Sequence, residues 1–495
     1  MELRKIAAAL LTGALLVQGA VLLPAAAEEA QPATESDTYA DGMFTFQYVD
    51  GGVALYSVDS SALAVKLPDE TDGQRIVAIA DGAFYGCASL ENVTLGKYVR
   101  SIGQSAFAGC DALKSVTIPD SVTEIGANAF SGCFEMTKLT LPEGLTVIPE
   151  GMCYYCTMLS EVDIPAGVTE IGTEAFYGCT QLADPTLPEG LKSIGSYAFA
   201  FCTNISEAQL PSSVESIGSA VYCGCDGITS FTVPADMTDM GTMSFMGCTA
   251  LAAYDVEPGN TVYSAADGVL YKDEGKTLLA YPAGRPDEQF TIPEGVELIY
   301  DAAFFYASNL KEIVFPSTLK NIGAGAFEYC TSLKKLELPE GLESIYENGF
   351  ADCTSLTSVR LPDSLQGVGN YAFYACTSLK SITVPKNCKT IGDYAFGYTD
   401  GDQVDDQGTP VPVKIEGFIQ KGGTSIDYGK LLLVVVGVAA AVVIIVLLVR
   451  VIKKNQMTDE ERDAIKEIEE DDYEEITDEQ SDDDAPAETS DDSEA

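Results

Sequence analysis

The chain has 495 residues and a formal net charge of −47, from 75 Asp and Glu against 28 Lys and Arg, and it contains neither histidine nor tryptophan. That charge makes nucleic acid and anionic lipid surfaces poor partners. The missing imidazole excludes Ser-His-Asp and Cys-His catalysis within one chain, and any metal site that needs a histidine ligand.

The first segment carries Arg4 and Lys5, then an apolar run, then the small residues Ala25, Ala26 and Ala27. This order predicts a removable export signal over residues 1–27, with the mature chain opening near Glu28. Residues 28–40 read as a linker.

From residue 41 to 420 the sequence repeats itself with a period of 23. Clear units open at Gly96, at Pro119 and every 23 residues to Pro234, then again from Pro293 to Pro385. Self-similarity at such a period is the mark of a repeat solenoid. In the unit Pro316–Leu338, Leu333-x-x-Leu336-x-Leu338 alternates as a half-buried strand does, and the next proline ends it. Leu319-x-x-Ile322 is a second extended piece. Gly323 then serves a tight turn or a close backbone approach. Ala326-Phe327 places one small and one large residue inward. A single unit cannot bury its apolar face, but stacked copies can, strand beside strand at about 4.8 Å. The expected fold is a repeat solenoid of short parallel β-strands and turns around a single core. Phe84, Phe107, Phe130, Phe176, Phe199, Phe245, Phe304, Phe327, Phe350, Phe373 and Phe396 should stack along it, with Cys153 and Tyr222 standing in twice.

A cysteine recurs three residues after the aromatic, at Cys87, Cys110, Cys133, Cys156, Cys179, Cys202, Cys225, Cys248, Cys330, Cys353 and Cys376. Equivalent residues of stacked coils point the same way. Their Cβ atoms are then separated by about the coil spacing, beyond the ~3.5–4.5 Å of a disulfide, and parallel thiols do not converge on a metal. Ala307 and Thr399 fill the same position twice. The expectation is a buried ladder of free thiols. Cys388 falls at a core position, Cys153 in an aromatic slot, and Cys223 at a variable position where exposure is expected.

The motif I-P-x-x-V-T-x-I-G-x-x-A-F-x-G-C-x-x-L resembles the BspA-type leucine-rich repeat proteins. Phe44–Val58 is similar to the hairpin that opens many such arrays (a cap over 43–58). Val256–Gly284 resembles the family's enlarged unit (257–292 here), and Val413–Lys430 its closing element. The resemblance implies a solenoid displayed on the surface of host-associated microbes for adhesion or recognition, with no shared catalytic residues. Pro149, Tyr300 and Tyr346 replace the glycine of three units, and Pro185 enters a core strand position, so regularity is expected to falter there. Within the enlarged unit, Val269 to Tyr271 returning through Leu278 to Tyr281 reads as a hairpin.

Leu431–Val449 holds nineteen apolar residues without a charge, enough to cross about 30 Å of hydrocarbon. A transmembrane helix over 431–452 is expected, preceded by a juxtamembrane linker at 421–430. Arg450, Lys453 and Lys454 put its C-terminal side in the cytoplasm. From Asn455 onward twenty Asp and Glu face Arg462 and Lys466. The tail 453–495 is therefore read as acidic and largely disordered. The loop Thr399–Pro410 holds Asp400, Asp402, Asp405 and Asp406 but lacks the spacing of a calcium loop.

Solenoids of this kind usually bind through the outward positions of their strands. Toward the C-terminal half these include Lys311, Lys334, Lys335, Glu337, Thr357, Arg360, Lys380 and Thr383, a set more basic than the rest of the chain and suited to an anionic group. Tyr85, Tyr177, Tyr197, Tyr371, Tyr374 and Tyr394 mark the turns and offer rings to a sugar or a protein. No nucleophile elbow or phosphate loop occurs, so no catalytic, cofactor or metal site is expected. The expected role is non-enzymatic: a membrane-anchored ectodomain that binds an extracellular protein or glycan. The alternative is a receptor-like or assembly protein whose acidic tail contacts an intracellular partner.

Overall fold

The computed structural model describes residues 38–397 and the strand Lys414–Gly417. The export signal, the aspartate loop, the apolar run at 431–452 and the acidic tail lie outside the described residues. Among the described residues no helix is long and apolar enough to cross a membrane.

Each regular coil contributes three ladders. The first is built from three- or four-residue strands such as Lys335–Glu337, which pairs in parallel with Ser358–Arg360 in the register Leu336 to Val359. The second uses two-residue strands after the proline turn. Leu298–Ile299, Asn321–Ile322, Ser344–Ile345, Gly367–Val368 and Thr390–Ile391 lie side by side in parallel. The third runs through the turns around the aromatic. The amides of Ala220, Tyr222 and Gly224 donate to the carbonyls of Thr242, Ser244 and Met246 in the next coil, at 2.8–2.9 Å. A regular coil thus satisfies its polar backbone with its neighbours, which is what lets its apolar side chains point inward.

The recurring glycine of the second ladder serves close approach. A Cβ on Gly126 would sit 2.4 Å from the Gln104 nitrogen, and one on Gly323 would lie 2.7 Å from the Asp301 nitrogen. The left-handed conformation falls elsewhere, two residues before and two after the aromatic. Gly86, Gly109 and Gly132 occupy the second of these places, but so do Tyr155, Phe201, Tyr306, Tyr329 and Asp352, with φ of 56–61°. The two-residue strands persist where Pro149, Tyr300 and Tyr346 replace the glycine, so this register survives those departures. At Pro185 it does not. The first ladder has no strand there or in the following coil. Proline offers no amide to a ladder. The Asp184 carboxylate instead accepts from the Ser206 and Glu207 amides at 2.8 and 2.7 Å.

The aromatic rings stack as expected, in three runs parted at Cys153 and at the enlarged unit, with Phe176 and Phe199 5.4 Å apart in the middle one. Phe84, Phe107 and Phe130 lie 4.6 and 5.2 Å apart. Phe304 to Phe396 follow at 4.6–5.8 Å. Tyr222 continues the series between Phe199 and Phe245. Tyr281 joins it as well, 4.8 Å from Phe304. The core, however, is not single. One large cluster runs from Phe46 to Leu270 and a second from Val269 to Phe396, and they part at the enlarged unit. The inserted residues form an antiparallel meander of Tyr263–Ala266, Val269–Lys272 and Thr277–Ala280, which displaces regular coil packing.

The expected hairpin over Phe44–Val58 is present as Phe44–Val49 with Gly52–Val58. A strand over Thr38–Asp41, opening inside the segment read as linker, adds to its edge. At the other end Lys414–Gly417 pairs in parallel with Ser381–Val384.

Candidate functional site

In the three-residue strands the middle side chain is inward and its neighbours outward, because successive residues of a strand face opposite sides. Leu336 is buried while Lys335 and Glu337 are exposed; Ile382 is buried while Ser381 and Thr383 are exposed. The 23-residue register then sorts the candidate residues into columns. Lys311, Lys334, Thr357 and Lys380 share one position. Lys335 begins the strand, and Glu337, Arg360 and Thr383 follow the buried residue. The Lys334 amide bonds the Lys311 carbonyl, and the Thr357 amide bonds the Lys334 carbonyl, so the first column is continuous across these coils. Lys311 is half-buried and the others are exposed.

The charges are less open than the sequence implies. Lys311 pairs with Glu288 of the preceding coil, Lys335 with Glu337 of its own strand, and Arg360 with Glu340 at 3.0 Å. Lys114–Glu91, Lys138–Glu161 and Lys192–Glu215 make the same kind of rung earlier in the array. Among the described residues Lys334 and Lys380 have no carboxylate within ion-pair reach. The Thr357 hydroxyl between them donates to the Lys334 carbonyl at 3.0 Å. What can meet an anion is therefore the column Lys334, Thr357, Lys380.

The turn tyrosines are partly spent on one another. Tyr371 stacks on Tyr394 at 5.4 Å, and Tyr374 meets Tyr371 edge-on. Tyr177 packs against Tyr154 and Tyr155. Tyr197 and Phe201 cover a small apolar cluster of Ala200, Ala220 and Cys223. Cys223 is therefore buried, not exposed: it lies in the turn 219–224, beneath these rings. Tyr85 is 70% exposed. Sequence reasoning passed over Tyr155 and Phe201, although a large ring at a position that glycine holds in half of the coils was a signal. Each ring lies over the glycine of the next coil, Gly178 and Gly224, where a Cβ would fall 2.9 and 2.7 Å from it.

The thiols are free and buried. Ten of the eleven ladder cysteines donate to the carbonyl 26 residues earlier, that of the aromatic slot in the preceding coil, at 3.1–3.3 Å. Burial pushes the Cys110 thiol up to about 12, and carries Cys133, Cys179, Cys225 and Cys248 well above their ordinary value. Such groups are poor nucleophiles.

Arg285 fastens the enlarged unit. Its guanidinium donates to the Asp287 carboxylate at 2.6 Å, to the Asp267 carboxylate at 3.1 Å and to the Asp267 carbonyl, and it lies over the Tyr281 ring.

Three comparisons with known proteins bear on this arrangement. The BspA type leucine rich repeat region, in six copies, matches residues 77–188, 169–267 and 286–401. Among solved structures, a leucine rich cell surface protein from Faecalibacterium prausnitzii is similar at 27% identity, with a TM-score of 0.53, covering 74% of this chain and 95% of its own. A leucine-rich repeat protein from Bacteroides ovatus shares 22% identity at a TM-score of 0.42, over 77% of this chain and all of its own. No curated protein matches the chain.

Proposed function

The chain belongs to the BspA-type leucine-rich repeat family, and from that premise we propose that it is a non-enzymatic surface protein whose solenoid binds a protein or glycan of a host or microbial surface. In this reading residues 1–27 are removed on export and 431–452 cross the membrane once. The array over 41–420 then stands outside and 453–495 in the cytoplasm. The observation that carries the binding role is the column Lys334, Thr357 and Lys380. It presents two cations without carboxylate partners among the described residues, each just before a strand held from beneath by buried Leu336 or Ile382. The paired strands fix the spacing of the two lysines along the column, ordering each long side chain costs about 0.5–1.5 kcal/mol on binding, and the two cations favour an anionic ligand.

The test is binding of the full chain to a panel of matrix proteins and glycans. Saturable binding is expected, weakened about tenfold by Lys334→Glu with Lys380→Glu, at an unchanged melting temperature. Absence of saturable binding across the panel, or indifference to both substitutions, overturns the reading. The acidic tail supports a second role, contact with an intracellular partner. Deleting 455–495 without any change in cross-linked partners removes that role.

A further inference from the structure

At one place among the described residues the turn ladder loses all three of its rungs. In the coil before, the amides of Ala220, Tyr222 and Gly224 all reach the next coil. In the coils after, Ala302, Phe304 and Tyr306 donate to Ala324, Ala326 and Glu328 at 2.7–3.0 Å. The equivalent amides of Met243, Phe245 and Gly247 have no acceptor among the described residues. The enlarged unit supplies the next aromatic, Tyr281, but Tyr281 is hydrogen-bonded forward to Ala303 and not back to the Phe245 coil.

A cleft opens at this break. The turn 241–246 forms one wall, with 279–283 and 300–305 opposite. The carbonyls of Asp301 and Phe305, both cleft residues, also receive no amide, although their counterparts in regular coils do. Met243 and Met246 are half-buried there, beside buried Phe245, Tyr254 and Phe305. Asp301 is the only charged residue in the lining.

We propose that this cleft binds an extended, neutral and apolar polypeptide segment from a partner protein, which takes the place of the missing rung. The open amides lie at alternate residues, those of Met243 and Phe245 on residues lining the cleft and that of Gly247 one residue beyond the lining, at the spacing by which an extended chain presents carbonyls toward one side. Unpaired amides beside apolar walls are costly and gain most from an acceptor that also displaces water. Methionine walls adapt to varied side chains. The lone Asp301 disfavours an acidic ligand. This inference deepens the binding role proposed above but uses none of the strand-face residues, so the two fail separately.

The experiment is amide hydrogen exchange on the full chain, with short capped peptides alternating valine with threonine, with glutamate or with lysine. The valine–threonine peptide is expected to slow exchange at Met243, Phe245 and Gly247 by about tenfold or more, and to leave Ala220, Tyr222 and Gly224 unchanged. Ala283→Trp, which fills the cleft, should weaken binding about tenfold at an unchanged melting temperature. If that variant does not fold, Met246→Glu provides the same reading from the opposite wall. The proposal is overturned if the three amides already exchange as slowly as their counterparts, or if the neutral peptide gives no protection at saturating concentration. Equal protection by the glutamate peptide, or protection that appears with protein concentration alone and so reveals a second copy, also overturns it.

Discussion

The Cys202 thiol donates to the Phe176 carbonyl at 3.1 Å, and the Cys179 amide donates to the same oxygen at 3.2 Å. One carbonyl thereby closes the turn of its own coil and receives the next coil. This explains why cysteine recurs where alanine also fits: it is a small apolar residue with a weak donor to spare.

The thiols make stability fall in alkali. Burial raises Cys110, Cys133, Cys179, Cys225, Cys248 and Cys353 in the folded chain, so the unfolded chain releases its protons first. Stability is then complete below about pH 8.5 and declines above it. Each such thiol contributes at most about 1.4 kcal/mol per pH unit. The urea midpoint is expected to be flat between pH 7 and 8 and to drop steeply by pH 10. Native chain should resist alkylation at all fourteen cysteines, which react once it is denatured. Rapid labelling of Cys202 or Cys225 in the native chain would contradict the burial.

Much of this architecture was legible because each recurring letter does one physical job. Phe327 must stack, Leu336 must face inward, and Cys330 must be small, so period and burial could be read together. The Cys330 thiol bond was not legible, since it depends on a carbonyl 26 residues away. The split core was missed because Tyr281, 23 residues before Phe304, looked like the end of a hairpin, whereas it begins the stack of the second core. The candidate columns followed from strand alternation. Their neutralisation was legible in part: Glu288 stands in the column of Lys311 one coil earlier and Glu337 in the strand of Lys335, whereas Glu340 reaches Arg360 from a turn outside the strand pattern.

Two kinds of glycine should respond differently to alanine. At Gly126 the new Cβ would lie 2.4 Å from a backbone nitrogen of the preceding coil, so the coils must separate. A loss of about 2–4 kcal/mol is expected, as for overpacking at its severe end. Gly86 has φ of 70° with nothing within 4 Å of its would-be Cβ. Only the left-handed conformation opposes alanine there, at about 1 kcal/mol. Chemical denaturation of the two variants gives the order directly.

Glu328 links stability to pH in the opposite range. Burial, reinforced by Asp352 and Glu347, raises its carboxyl to about 8. The folded chain holds this proton more tightly than the unfolded one. The contribution is therefore present below about pH 4.5 and is lost as pH rises toward 8. Glu328→Gln keeps the neutral form at every pH. It should be more stable than the parent at pH 8 by about 1–3 kcal/mol, with the gap closing at pH 5. Equal pH profiles would place Glu328 in water.

The last prediction concerns the fastening of the enlarged unit. Arg285 ties Asp267, at the turn between Tyr263–Ala266 and Val269–Lys272, to Asp287, which precedes the strand Gln289–Thr291. Its side chain is only 12% exposed, and the planar guanidinium serves both carboxylates and the Asp267 carbonyl at once. Lysine cannot reproduce that fork. Asp267 and Asp287 are 78% and 40% exposed and stay solvated without the cation, so the loss falls on the packing and hydrogen bonds of the guanidinium itself: Arg285→Ala should cost about 1–2 kcal/mol and Arg285→Lys not much less. The loss should be local: proteolysis at the exposed tip Asp273–Glu274 should accelerate while the stacked coils from Phe304 to Phe396 keep their exchange protection. A uniform loss of protection across both cores would mean that Arg285 holds the two cores together, not the inserted strands alone.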